Sequence, residues 1–151
     1  MPLSNTGSRE GFVLLVEDNP DDEELAVMAL KSAGLRLPIE VARDGAEAIE
    51  RLVGASSAAP PAKPLMVLLD LKLPKIDGFG VLKKIRETER LRRLPVVIFT
   101  SSDTADDVAR GYALGVNSYV RKPVAFEAFT SAVGLLGQYW LTLNEYPRDD
   151  S

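Results

Sequence analysis

The side chains that could do chemistry in this chain are carboxylates, hydroxyls and lysines, because its 151 residues include no cysteine and no histidine. That excludes disulfides, thiolate metal sites, zinc sites of the usual histidine type, Ser-His-Asp hydrolysis and phosphohistidine carriers. Polar residues follow directly on four apolar runs. They are Glu17-Asp18 after Phe12–Val16, Asp70 after Leu65–Leu69, Thr100-Ser101-Ser102 after Val96–Phe99, and Arg121-Lys122-Pro123 after Ser118–Val120. Three carboxylates in one crevice repel each other unless a cation joins them. Hard oxygen donors without His or Cys suit Mg2+, which commonly pairs a few carboxylates with phosphate oxygens. A carboxylate can itself be the nucleophile and become an acyl phosphate. Lys122 and a metal could neutralise the phosphoryl oxygens, and the Thr100 hydroxyl could hydrogen-bond one of them. Each residue also has an ordinary use. Glu17-Asp18 could cap a helix, Asp70 could shape a turn, Thr100 could end a strand and Lys122 could be solvated. Gathered on one edge, the four are harder to explain that way.

They can gather only if the intervening elements bring them together. The first three runs are continuously apolar, as strands buried on both faces are. A weaker strand is predicted at Ile39–Val41. Helical patterns fill the intervals. Pro20 suits a first helical turn, with Leu25, Met28 and Ala29 on one face. Asp44 is placed to cap Gly45–Leu52, and residues 79–88 carry Leu82 and Ile85. Ala105, Val108, Ala109, Tyr112 and Ala113 form a helical apolar stripe ended by Gly115, and a last helix starts near Ala125. The order βαβαβαβαβα predicts an α/β fold, a parallel sheet with helices on both faces and right-handed crossovers. In such sheets ligands bind beyond the carboxyl ends of the strands, where the four polar segments lie. Gly54–Pro64 reads as a solvated connector.

Composition agrees with one soluble domain: 46% hydrophobic, 26% charged, and a net charge of −4. A weakly acidic chain repels nucleic acid and anionic membranes, so neither DNA nor membrane is an expected partner. Arg90, Arg92, Arg93, Lys83 and Lys84 alternate with Glu87 and Glu89 and read as a solvated helix face. No apolar run approaches the roughly 20 residues of a membrane span, and residues 1–10 read as a flexible N-terminus. A cytoplasmic location is expected.

The stretches VLLVEDNPDD, VLLDLKLPKIDGFGVL, VVIFTSS and SYVRKPV resemble the receiver domain of two-component response regulators, over about residues 11–139. The resemblance implies a flavodoxin-like fold, a doubly wound five-stranded parallel sheet in the order 2-1-3-4-5 flanked by five helices. It implies that Asp70 is the phosphoacceptor, taking its phosphoryl group from a sensor histidine kinase. It makes Asp18 and Asp70 direct ligands of Mg2+ or Mn2+, Glu17 a ligand through water, and the Lys72 backbone carbonyl the third protein ligand. Lys122 is implied to pair with the phosphoryl group, across a Lys122–Pro123 peptide that is cis in the family. Thr100 and Tyr119 match the switch pair, with Lys72 and Ser102 flanking the phosphoryl group. A protein of this kind is not an enzyme in the ordinary sense and assists only its own phosphorylation and dephosphorylation.

Only 28 residues follow Pro123, which suggests a stand-alone receiver whose output is protein contact. The YWLTLNEYP tail resembles the subgroup that serves bacterial phytochrome kinases. Phe126, Phe129, Val133, Leu136, Trp140 and Leu143 are spaced as an a/d seam. Residues 140–151 are therefore expected to form a C-terminal extension, with 138–147 crossing to a second copy to make a homodimer. Three competing functions fit these residues less well. A phosphatase of the haloacid-dehalogenase type wants a second acid where Lys72 stands. A nucleotide or flavin binder wants a glycine-rich fingerprint that is absent. A receiver that no longer takes phosphate would not need acids, hydroxyl and lysine together.

Overall fold

The computed structural model describes residues 11–55 and 59–147. Residues 1–10, the middle of the Gly54–Pro64 connector and the last four residues of the expected extension lie outside them. Five parallel strands, β1 (Val13–Val16), β2 (Ile39–Ala42), β3 (Met66–Leu69), β4 (Val96–Thr100) and β5 (Ser118–Arg121), form one sheet in the order β2-β1-β3-β4-β5. Helices α1 (Pro20–Ser32), α2 (Gly45–Val53), α3 (Gly78–Glu87), α4 (Ala105–Ala113) and α5 (Phe126–Gln138) alternate with them. A 3-10 turn at Glu89–Leu91 and a π-helical turn at Tyr139–Leu143 complete the described elements.

Side-chain alternation explains the layers. Leu14, Val16, Val67, Leu69, Val96 and Ile98 face one way, onto Ala48 and Leu52 of α2 and Phe79, Leu82 and Ile85 of α3. Val13, Leu15, Met66, Leu68, Val97 and Phe99 face the other way, onto α1 and α5. The central strands are buried on both faces, so each apolar residue of β1, β3 and β4 contributes to a core. The starts of α1 to α4 are fixed by side-chain caps. Asn19 Oδ1 accepts from the Asp21 and Asp22 amides, Asp44 from Glu47, Asp77 from Gly80 and Thr104 from Asp107. Gly115, at a φ of +94°, ends α4 as expected.

Three helix faces differ from the sequence reading. On α1 the buried stripe is Ala26, Ala29 and Leu30, and Met28 is 43% exposed. On α4 the stripe is turned outward. Gly111 packs against the sheet, while Tyr112 is 52% exposed and Ala105, Ala109 and Ala113 are also exposed. A side chain at Gly111 would crowd Ile98 and Tyr119 at 3.1 and 3.3 Å, so the helix approaches the sheet through its smallest residue. The a/d seam of the last helix is broken. The Asn144 amide reaches back five residues to the Tyr139 carbonyl, which rotates the final turn so that Leu141 is buried and Leu143 is 63% exposed. Phe126, the first seam residue, is 55% exposed.

Gly78 brings α3 onto the end of β3. A Cβ there would lie 2.3 Å from the Asp70 carbonyl oxygen and 2.7 Å from Leu71 Cα. Backbone cannot yield that far without shifting Asp70. We expect Gly78→Ala to cost about 1–3 kcal/mol in urea unfolding. Gly134→Ala in α5, whose nearest contact would be an ordinary 3.6 Å, should be neutral or stabilising by about 0.5–1 kcal/mol. Equal effects of the two substitutions would contradict this placement of α3.

Candidate functional site

Among the described residues the buried polar or charged side chains are Glu17, Asp70, Thr100 and Lys122. All four lie at the carboxyl edge of the sheet. Register puts them there. Val16 is level with Leu69, so Glu17 and Asp70 leave β1 and β3 side by side. The Asp70 amide donates to the Val16 carbonyl and the Glu17 amide to Ala42, both at 3.0 Å, which carries the ladder one residue past the strands. Thr100 ends β4 level with Arg121, and the Lys122 amide donates to the Thr100 carbonyl at 2.7 Å.

A buried charge must be paired, and here the pairing converges on one amine. Lys122 Nζ lies 2.7 Å from Glu17 Oε1, 2.8 Å from Asp22 Oδ2 and 3.1 Å from Asp70 Oδ2. Its three N–H donors thus have three carboxylate acceptors. Burial opposes the charge on Lys122, but the three acids outweigh it and hold its pKa above the ordinary lysine value. Burial pushes the Glu17 carboxyl up to about 7; the Lys122 hydrogen bond opposes this and the charge on Asp70 adds to it. The second Asp70 oxygen accepts from the Leu71 amide at 2.7 Å, which fixes the plane of the carboxylate.

The sequence-predicted metal ligands also come together. One oxygen each from Glu17, Asp18 and Asp70 lies within 4.8 Å of the others, with Asp18 exposed at the rim. Oxygen donors at that spacing, without His or Cys, fit a hard divalent cation. Lys72 stands exposed two residues beyond Asp70. Thr100 Oγ is fully buried and has no hydrogen-bond partner. Leaving a buried hydroxyl unpaired costs roughly 1–3 kcal/mol, so this one has a bond to gain from an acceptor brought to the edge. Ser118 Oγ is also buried and unpaired, but at the amino end of β5. Tyr119 is half-buried against the core that includes Ile98, its partner in register, and its Oη–H donates to the Ser102 carbonyl at 2.8 Å. Burial raises its pKa.

The ordinary use weighed for Glu17-Asp18 falls away: Asn19 caps α1, and its own amide donates to Glu17 Oε2 at 3.2 Å. One implied feature fails. The Lys122–Pro123 peptide is trans, and Lys122 still reaches all three acids. One residue escaped the sequence reading. Asp22 sits within VLLVEDNPDD but was assigned no role. Its signal is helical spacing: Asp22, Ala26 and Ala29 share one face of α1, so an acid heads the buried stripe.

The response regulator receiver domain family matches residues 13–134. The chain belongs to this family. It is 43% identical over 136 residues to the probable methanogenesis regulatory protein FilR2 of Methanothrix harundinacea, covering 90% of this chain and 87% of that protein. It is 34% identical to response regulator Rcp1 of a Synechocystis strain, across 92% and 95% of the two chains. The Mn2+-bound structure of Rcp1 superposes with a TM-score of 0.84 over 91% of this chain and 99% of that one. The phosphorylated cyanobacterial phytochrome response regulator RcpA superposes with a TM-score of 0.86, at 34% identity, over 93% of this chain and all of the other. This is therefore a response regulator receiver, of a family that works with histidine kinases and binds divalent metal. Among the described residues no helix is long and apolar enough to cross a membrane.

Glu17 makes the site pH-sensitive in a stated direction. Its folded pKa of about 7 lies above the ordinary 4.5, so between those values the folded state keeps a proton that the unfolded state has lost. Its contribution to stability must fall as pH rises through that window. With chelator present, the urea midpoint of the natural chain should drop relative to Glu17→Gln from pH 4.5 to 7. A difference that stays constant across the window would contradict the burial argument.

Proposed function

We propose that Asp70 accepts a phosphoryl group from a partner histidine kinase, in a reaction that needs Mg2+ or Mn2+. The phosphorylated chain then signals by changing the protein surfaces it offers. The observation that carries this reading is that the buried polar side chains, one nucleophile, one amine, one hydroxyl and one further acid, share a single edge of the sheet. A bound divalent cation would neutralise the phosphoryl oxygens and orient them for in-line displacement. Asp18 and Asp70 would hold it directly, the Lys72 carbonyl would be the third protein ligand, and Glu17 would act through water.

The chain's own residues do the rest. Asp70 Oδ1 is anchored on the Leu71 amide, which leaves Oδ2, held by Lys122, as the oxygen that attacks phosphorus. The new P–O bond forms as the P–N bond to the donor imidazole breaks, and the imidazole leaves with the electron pair and then takes a proton. Lys122 exchanges its contact with Asp70 for one with a phosphoryl oxygen. The unpaired Thr100 hydroxyl supplies a further donor. Thr100 and Tyr119 lie on the same face of neighbouring strands, so movement of the hydroxyl towards the site leaves space for the ring of Tyr119. The inward ring gives up its bond to the Ser102 carbonyl, a cost of about 1 kcal/mol. One new local charge thereby biases a two-state packing element. Nothing in this scheme turns over a substrate, which is why we read the protein as a switch and not an enzyme. Lys72 and Ser102, beside the phosphoryl group, should set its lifetime.

For the partner, RcpA is a phytochrome response regulator at 34% identity over 93% of this chain, and this supports a bacterial phytochrome as the kinase. For the output, Tyr139 and Leu143 leave apolar surface at 48% and 63% exposure on the last turn, and this supports a homodimer made through residues 138–147. The receiver is assigned to residues 11–139 and the extension to 140–151. DNA and membrane are not expected partners, and the protein is expected to work in the cytoplasm.

Two experiments test this reading. Intact mass after incubation with acetyl phosphate and Mg2+ should show one added phosphoryl group, and none for Asp70→Asn or in chelator. Phosphorylation that survives Asp70→Asn would remove Asp70 from its role. For the dimer, the double substitution Tyr139→Ser with Leu143→Ser spares the buried Leu141. Light scattering should find the natural chain dimeric and the variant monomeric; a variant that stays dimeric refutes the proposed arm.

A further inference from the structure

Lys122 faces a conflict of duties. Two of its three acceptors, Glu17 and Asp70, belong to the carboxylate group that can hold a metal. The third, Asp22, does not belong to that group. It projects from the first turn of α1, its side chain 27% exposed, and bonds Nζ at 2.8 Å. Glu17 and Asp70 cannot serve a divalent cation and the ammonium in full at once, because each carboxylate charge is shared between them and the two cations repel. Asp22 alone of the three remains wholly available to the lysine.

We propose that Asp22 is a positioning residue for Lys122: it holds the ammonium beside Asp70 while Glu17 and Asp70 are engaged by metal. This rests on the phosphoacceptor reading above. Without Asp22 the lysine has only Glu17 and Asp70 to pair with, so it competes with metal for them. With Asp22 the amine stays within reach of a phosphoryl oxygen but is drawn towards α1. The fold prepares this arrangement. Asn19 caps α1 through the Asp21 and Asp22 amides, which fixes the turn that carries the carboxylate. The Lys122 amide is fixed on the Thr100 carbonyl. Asp22 and Lys122, 100 positions apart in sequence, thus meet between two anchored backbones.

The test is a double-mutant cycle on metal affinity, measured by calorimetry on the full chain without any phosphoryl donor. Asp22→Asn keeps the size and removes the charge. It should weaken Mg2+ or Mn2+ binding roughly three- to tenfold more in the natural chain than in the Lys122→Met background. Asp22→Glu, which can still reach the amine, should restore most of the affinity. At saturating metal, phosphorylation of Asp22→Asn by acetyl phosphate should be slower, with a smaller effect when Lys122 is Met. A charge effect that does not run through the lysine would weaken binding by the same factor in both backgrounds, and that result overturns the proposal. So does unchanged or tighter binding in Asp22→Asn. Failure of the natural chain to bind metal or take a phosphoryl group would instead sink the phosphoacceptor reading, so the two failures are distinguishable.

Discussion

Like charges crowded at the end of parallel strands are the constraint from which this structure follows. Glu17 and Asp70 leave adjacent strands at the same level, so their carboxylates are neighbours by register. Both are buried, where two neighbouring carboxylates repel each other unless a cation joins them. Lys122 supplies one positive charge and engages three acids at 2.7–3.1 Å. Three acids around one amine still leave an excess of negative charge. A hard divalent cation beside Asp18 would balance it, and an incoming phosphoryl group would then find a site already polarised. Pairing, metal and phosphoryl chemistry are three responses to the same crowding.

The sheet makes that crowding affordable. Its two apolar faces are covered by α1 and α5 on one side and by α2, α3 and α4 on the other. Polar groups are therefore confined to the edge, where a loop or a helix start can complete them. Gly78 lets α3 begin against the Asp70 backbone, and Asn19 sets the first turn of α1. The helices on the two faces differ in how tightly they are held. The exposed face of α4 carries Ala105, Ala109, Tyr112 and Ala113 beside the charged Asp106 and Arg110, and α4 approaches the sheet at Gly111. A helix that touches Tyr119 through a glycine would feel the ring movement proposed above.

Much of this was legible in the amino-acid order. Continuous apolar runs located β1, β3 and β4, because strands buried on both faces cannot hide their composition. The polar residue after each run then identified the edge, and the family resemblance gave the strand order. Helix faces were less legible. The α4 stripe is periodic but turned to solvent, since glycine scores as nothing in a hydrophobic pattern while permitting the closest approach. The seam in α5 ran past Gln138 on paper, but one π turn rotates the chain and buries Leu141 instead of Leu143. Asp22 was overlooked because an acid in a first helical turn ordinarily serves the helix dipole. Only its place on the buried stripe separates it from Asp21.

The most direct test of the central claim is a crystal structure grown with Mn2+, with the ion located by its anomalous scattering. The account predicts one peak at the carboxyl edge, bonded directly to oxygens of Asp18 and Asp70 and to the Lys72 carbonyl. Lys122 should remain on Asp22. A peak elsewhere, or an ion that Asp70 does not touch, would contradict the account.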